Sequence, residues 1–310
     1  MLHRVVPNRI GSYHSQQLMC MYVGGQPGVI EGCTNLTRLE LRCNIIGSVG
    51  SLSKLVHLQH LDIVPLGMPG GYDSVDVPRA TLPHLRHLTR ICVRSLSSNN
   101  LAQLGGLTNL QVFTLCNIIG HDDPSLIVGP SSVPGLALPA SLTRLRLLSP
   151  VEAGLLSLVP TGLQALHVEC DVEDASSWSG SFLSGMGQLQ HLTQLHIQAP
   201  DSFIWPPVSP AYSALTASSK LAHLALYGAE PPGSIWQYLF SATRKLPHLT
   251  TLRTNYGWRS SDFGVWGAED LSSLVSCCPN LCTVDRLHVQ HGSHRSKLQQ
   301  LTALTSINLL

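Results

Sequence analysis

From residue 35 onward the chain repeats one spacing of apolar positions, L-x-x-L-x-L, with Val, Ile or Phe in place of Leu. The most complete copy is NLTRLELRCN, Asn35 to Asn44, with Leu36, Leu39 and Leu41 in the three places. The series continues with Leu58, Leu61, Ile63, then Leu88, Ile91, Val93, then Leu110, Phe113, Leu115, then Leu142, Leu145, Leu147. Leu163, Leu166, Val168 follow, with Leu192, Leu195, Ile197, then Leu221, Leu224, Leu226, and a weaker Leu249, Leu252 with Thr254 third. Near the end the frame is open between Leu281, Val284 and Val284, Leu287, Val289, and the last copy is Leu304, Ile307, Leu309. Successive first positions are 21 to 32 residues apart, which makes about eleven units over residues 35–310. Residues 1–34 read as an N-terminal cap or a degenerate first repeat framed on Leu18, Met21 and Val23.

The alternation at L-x-L predicts a short strand with two side chains facing inward, and the leucine three residues earlier fills the turn that enters it. One unit cannot bury these groups alone, so the units must stack and pair their strands in a parallel sheet. Between strands, SVGSLSKLVHL and NLAQLGGLTNL place leucines at helical spacing in the short units. The longer units insert Pro- and Gly-rich runs: VPLGMPGGYDSVDVPRA, GHDDPSLIVGPSSVPGLALPA, APDSFIWPPVSPAYSALTASS and NYGWRSSDFGVWGAED. These predict ordered loops or short helical turns. No composition break marks a domain boundary.

At this point the pattern resembles the leucine-rich repeat family, whose L-x-x-L-x-L-x-x-N/C signature NLTRLELRCN matches most literally. The resemblance implies an α/β solenoid, horseshoe-shaped, with a parallel concave sheet and helices, turns and loops on the convex side. Asn44 would then bond exposed backbone where the strand turns away. The asparagine is mostly absent from later units, where Leu66, Ile118, Pro150, Asp171, Pro200 and Ala229 stand, so an asparagine ladder should be incomplete. The L-x-x-L-T-x-L units resemble intracellular repeat proteins of plants and green algae. CCPNLC, near the C-terminus, resembles the CPNL turn of cysteine-containing repeats.

In that architecture the residues around the last two apolar places face out from the concave sheet. Seven of the fifteen arginines fall there, Arg38, Arg42, Arg90, Arg94, Arg144, Arg146 and Arg253, several times the number that random placement gives. The first six form a basic patch suited to bidentate contact with carboxylates or phosphates. Glu40 and Asp62 offset part of it. The later units present His167, His196, His223 and Tyr227 beside Glu169. The expected partner-binding residues are therefore these arginines with His167, His196 and Tyr227.

Composition narrows the classes. A formal net charge of +1 with 12% charged residues gives no global pull toward nucleic acid or a membrane surface. No run of eighteen apolar residues spans a membrane and the N-terminus lacks a signal-peptide core. Nine scattered cysteines fit a reducing compartment better than a disulfide framework. A cytoplasmic location is expected, with a cytoskeletal or axonemal placement among the options the resemblance leaves open.

The chemistry-bearing clusters have simpler readings. Fifteen histidines mostly recur within the motif, as in HLQHL and HLRHL, which duplication explains. Cys277, Cys278, Cys282, His288, His291 and His294 contain enough ligands for zinc, but the repeat turn accounts for the cysteines, and no metal or cofactor is expected. No phosphate-binding loop, nucleophile elbow or zincin motif is present. Cys92 near His60 lacks an oxyanion site and an orienting group. The five tryptophans read as packing anchors for the long loops.

The first expectation is thus a non-enzymatic interaction module or scaffold that binds an acidic protein partner on its concave face. The alternative is the substrate-recognition part of an F-box ubiquitin ligase, which would need more chain than 34 residues before the repeats. An acidic-substrate hydrolase, dependent on Cys92 or His167, stands only as a foil. The last unit, LTALTSINLL, has no polar cap, so either the chain is a fragment or that edge pairs with another molecule.

Overall fold

The computed structural model describes residues 17–22, 34–43, 50–64, 81–93, 96, 98–115, 130, 131, 133–150, 153–169, 182–199, 205, 208–228, 235–241, 244–256, 266–287 and 295–309. The chain divides into two compact units, Met1–Ser149 and Pro150–Leu310. Each is a stretch of leucine-rich repeat solenoid.

The first unit holds β1 (Gln17–Tyr22), β2 (Arg38–Cys43), β3 (His60–Val64), β4 (Arg90–Val93), β5 (Val112–Leu115) and β6 (Arg144–Pro150). All pair in parallel, in chain order. The second holds β7 (Ala165–Glu169), β8 (Gln194–Ala199), β9 (His223–Gly228), β10 (Thr251–Tyr256), β11 (Thr283–Leu287) and β12 (Ser306–Leu309), again parallel and in order.

The register ties sequence to core. Leu39, Leu61, Ile91, Phe113 and Leu145 lie side by side in the first unit. Leu166, Leu195, Leu224, Leu252 and Val284 do so in the second. Every one of them is buried. Each such side chain contributes roughly 1.5–3 kcal/mol of burial. Ile307 continues the row but is 40% exposed, because β12 is last in the strand order.

Three expectations change in the structure. First, β1 sets Leu18, not Met21, beside Leu39. A frame on Met21 would carry the strand into Gly24 and Gly25, which suit strands poorly. Second, the C-terminal ambiguity resolves toward Leu281 and Val284. A register shift after Asp285 then brings Leu287 opposite Leu309.

Third, the leucines of the short units build 3-10 turns more than α-helices. Leu52, Leu55 and Leu58, like Leu82, Leu85 and Leu88, recur every three residues and are all buried. Their amides bond three residues back: Leu55 to Leu52, Leu58 to Leu55, Leu85 to Leu82 and Leu88 to Leu85, at 2.9–3.0 Å. A period of three is the 3-10 repeat. The α-helical turns are short: α1 (Ser98–Ala102), α2 (Leu183–Met186), α3 (Trp236–Leu239) and α5 (Arg295–Leu298). The exception, α4 (Ala268–Cys277), belongs to a 32-residue repeat. There the Gly267 amide donates to Asp270 Oδ2 at 3.0 Å and Lys297 Nζ donates to the Ala268 carbonyl at 2.9 Å.

Among the described residues, threonine forms a polar ladder between repeats. In five repeats the residue after the first leucine is a threonine that bonds back to the preceding repeat: Thr89 Oγ1 to the Gln59 carbonyl, Thr143 to Gln111, Thr193 to Gln164, Thr250 to Ala222 and Thr305 to Cys282, at 2.9–3.2 Å. The same carbonyls also accept two backbone amides from that repeat, as Gln59 does from Thr89 and Arg90. Asn44, the first of the expected asparagines, lies outside the described residues, as do Leu66, Ile118, Asp171, Pro200 and Ala229.

Candidate functional site

The face of each sheet opposite the leucine row is the open face. Alternation along β2 to β6 puts Arg38, His60, Arg90, Val112 and Arg144 in one register row of the first unit. Glu40, Asp62, Cys92, Thr114 and Arg146 form the next. Arg38, Arg90, Arg144 and Arg146 are exposed. Strand spacing of about 4.8 Å sets His60 between the two guanidinium groups. Burial, Arg38 and Arg90 together lower its pKa below the ordinary histidine value.

The six-arginine patch therefore has finer structure than a single cluster. Arg38 and Arg90 flank His60. Arg144 and Arg146 share β6, one strand beyond Val112 and Thr114, and Thr114 is almost fully buried. Acidic groups sit in the second row: Glu40 beside Asp62, whose Oδ1 is buried with no hydrogen-bond partner. Arg42 lies on β2 opposite Val64. Arg94 lies outside the described residues. His60 stands in this row between the arginines although it was not singled out as a binding residue, and its place beside Arg38 and Arg90 could be read from the repeat frame.

The second unit presents different chemistry on the same scaffold. Its central row runs His167, His196, Ala225, Arg253 and Asp285. The His167 and His196 rings stack at 3.7 Å with planes 11° apart, and Tyr227 packs on His196 at 4.5 Å, tilted by 46°. Three of the expected residues thus form one aromatic stack. Arg253, exposed, lies two strands from His196, with Ala225 between them. Glu169, at the edge of the stack, has its carboxyl pKa raised by burial.

The opposite side carries packing. Trp236 and Trp266 are fully buried and stack at 4.2 Å, with Phe240 against both. Trp205 is also buried. Trp178 and Trp258 lie outside the described residues. An open groove of about 380 Å³ runs past Leu183, Gly187, Ala211 and Ala214 to Arg244. The Arg244 Nη1 donates to the Ser213 carbonyl and to Thr216 Oγ1 at 2.9 and 3.2 Å, which ties it into the wall.

Of the zinc candidates, His288, His291 and His294 lie outside the described residues. Cys277 and Cys278 are buried at the C-terminal end of α4, ahead of β11, with the Cys277 carbonyl accepting the Leu246 amide at 2.8 Å. Among the described residues no three His, Cys, Asp or Glu side chains converge to hold a metal ion. His57 and His87 occupy the same turn position in successive repeats, their rings 6.2 Å apart. Cys92 lies in register with Asp62, while His60 faces Arg90.

No family model matches the sequence, and no curated protein matches it. Among solved structures the chain is similar to an internalin (inlF) of Listeria monocytogenes, at 15% identity and a TM-score of 0.42, covering 90% of this chain and 82% of that one. It is also similar to internalin C2 of the same organism, at 15% identity and a TM-score of 0.38, covering 90% and 84%. The fold assignment rests on the strand register described above. No helix among the described residues is long and apolar enough to cross a membrane.

Proposed function

We propose that the chain is a non-enzymatic interaction module that binds a protein partner with an acidic surface on the open face of its sheets. The supporting observation is the register row Arg38, His60, Arg90, Val112 and Arg144, in which three exposed guanidinium groups recur on every second strand of the open face. Two like charges flanking His60 are unfavourable unless an anion answers them, and guanidinium groups at this spacing match carboxylates along an extended acidic segment. A stacked solenoid offers such a row because each repeat contributes one residue to it.

The reading includes a scaffold role without turnover and a cytoplasmic location. Buried Cys277 and Cys278 support the location, since both fit a reducing compartment. The CPNL turn supports kinship with cysteine-containing intracellular repeats. A cytoskeletal or axonemal placement and the F-box role have no structural observation in their favour.

The test is affinity capture from source lysate with three folded proteins: the parent, the Arg90→Glu/Arg144→Glu double variant, and Arg86→Glu, which reverses an exposed charge in a turn outside the sheet. The reading expects a partner held by the parent and by Arg86→Glu and lost by the double variant. A partner list identical in all three refutes it.

A further inference from the structure

We propose that the second unit carries a ligand site on its helical side, the groove lined by Arg244, and that this groove takes the aliphatic chain and the carboxylate of a free fatty acid. The site is built from connecting segments, not strands, and is independent of the reading of the open face.

Three segments build the groove. Buried Leu183 comes from α2, with Gly187 just after that helix. Ala211 and Ala214 come from the 3-10 helix Pro210–Thr216, with Ala217 at its C-terminal cap. Arg244 comes from the segment between α3 and β10. Residues three apart on a 3-10 helix lie over one another, so the three alanines present their methyl groups along one wall. A Cβ added at Gly187 would stand 3.9 Å from the Ala214 Cβ, so small residues at these two places keep the groove open. The volume is about 380 Å³, at the small end of the range for ligand pockets.

One charge lines this groove. Arg244 is half-buried; burial lowers its pKa, and the nearby Cys277 sulfur pulls the other way. No carboxylate among the described residues acts on it. A guanidinium has five N–H donors. Both on Nη1 are engaged by the wall, with the Ser213 carbonyl and Thr216 Oγ1 at 2.9 and 3.2 Å. Thr216 Oγ1 in turn donates to the Leu239 carbonyl at 3.0 Å. These bonds hold the guanidinium in place. The donors on Nε and Nη2 have no acceptor among the described residues, and they form an edge of the fork on which a carboxylate takes two parallel bonds.

The rest of the groove decides what is attached to that carboxylate. Ser213 Oγ donates to the Pro210 carbonyl at 2.7 Å. The 3-10 amides bond locally, Tyr212 to the Ser209 carbonyl and Ala217 to the Ala214 carbonyl. A peptide laid along this wall would lose water from its own amides and carbonyls without gaining partners for them, which is unfavourable. A hydrocarbon chain has no such groups, and every methylene it shelters against the alanine methyls and Leu183 adds to affinity.

The experiment is an NMR titration of the full chain with sodium octanoate, following the methyl signals of Ala211, Ala214 and Ala217 and the Nε signal of Arg244. The proposal expects saturable shifts at these groups. It expects binding about tenfold weaker for octanamide, the uncharged counterpart. Hexanoate should bind about fivefold more weakly than octanoate, since an open groove shelters each methylene only in part. Arg244→Gln should bind octanoate about tenfold more weakly than the parent, with its affinity for octanamide unchanged. Should that variant fail to fold, Ala214→Leu fills the groove without touching the charge, and it should weaken octanoate and octanamide alike. Equal affinity for octanoate and octanamide overturns the carboxylate site, and equal affinity for octanoate and hexanoate overturns the aliphatic groove. Tighter binding of acetyl-leucyl-leucine than of octanoate overturns the fatty acid in favour of a peptide C-terminus. Absence of shifts at the alanine methyls overturns the site as a whole and leaves the acidic-partner reading of the open face untouched.

Discussion

The two units have cores of the same kind and differ on their faces. Leu61 in the first and Leu224 in the second occupy equivalent places in a leucine row, both fully buried. On the open side, the row that reads Arg38, His60, Arg90 in the first unit reads Gln194, His223, Thr251 in the second. In the neighbouring rows of the second unit His167, His196 and Tyr227 form an imidazole and phenol stack. The difference shows how the fold divides labour: the inward positions are fixed by burial and cannot vary, while the outward positions of the same strands answer only to solvent or to a partner.

That division can be broken most sharply at the edges of the sheet. Gly228 ends β9 with φ of +88°, and a Cβ there would lie 1.4 Å from the Ala199 carbonyl oxygen. Gly228→Ala should cost at least about 3 kcal/mol in urea unfolding, since β9 must move away from β8. Gly135, with φ of +78°, meets nothing within 4 Å. Its alanine variant should cost only about 1 kcal/mol, from backbone conformation alone. Equal costs would mean that close strand approach is not what Gly228 serves.

Next in size are the leucine rows. Leu61→Ala and Leu224→Ala should each cost about 3 kcal/mol. If the cores are equivalent, the two values agree within about 1 kcal/mol. A large gap would show that one unit carries most of the stability.

The threonine ladder comes third. Thr89→Val and Thr193→Val each remove one bond to a neighbouring repeat, and each should cost about 1 kcal/mol. Similar losses in the two units would extend the likeness of the cores to the polar edge.

The smallest effects are in pH dependence, and they have opposite senses. Burial raises the Glu169 carboxyl, so the folded chain holds its proton more tightly than the unfolded chain. The associated stability is complete below the unfolded value and is lost as pH rises through the raised one. Glu169→Gln should melt slightly higher than the parent at neutral pH and equally with it near about pH 3. For His60, lowered by burial and its two arginines, the stability is present above the unfolded value and is lost as pH falls through the folded one. Arg38→Gln/Arg90→Gln should bring the His60 titration, followed by imidazole NMR, back toward the ordinary histidine value.

The strands and their faces were legible in the sequence because a period of two, repeated eleven times, fixes both the element and the side that is buried. The 3-10 turns were not. Leu52, Leu55 and Leu58 fit a helical stripe as well as a period of three, and the backbone bonds that decide between them are not written in the spacing. The degenerate first repeat was misframed by three residues because Leu18, Met19 and Met21 are all apolar, which leaves several frames open. The threonine ladder was visible as L-T-x-L, yet its role depends on a carbonyl about thirty residues away. The candidate site divides in the same manner. Arg38, Arg90, Arg144 and Arg253 follow from alternation alone. The stacking of His167, His196 and Tyr227 and the burial of Thr114 depend on register between strands.

The account stands or falls on which face meets the partner. Hydroxyl-radical footprinting of the chain, alone and with its captured partner, reads this directly through exposed and half-buried side chains. The account predicts protection at His60, His196, His223 and Tyr227 on the open face, with the turn residues His57, His87 and His248 unchanged. Protection confined to those turn histidines, with the sheet residues as reactive as in the free chain, would contradict it.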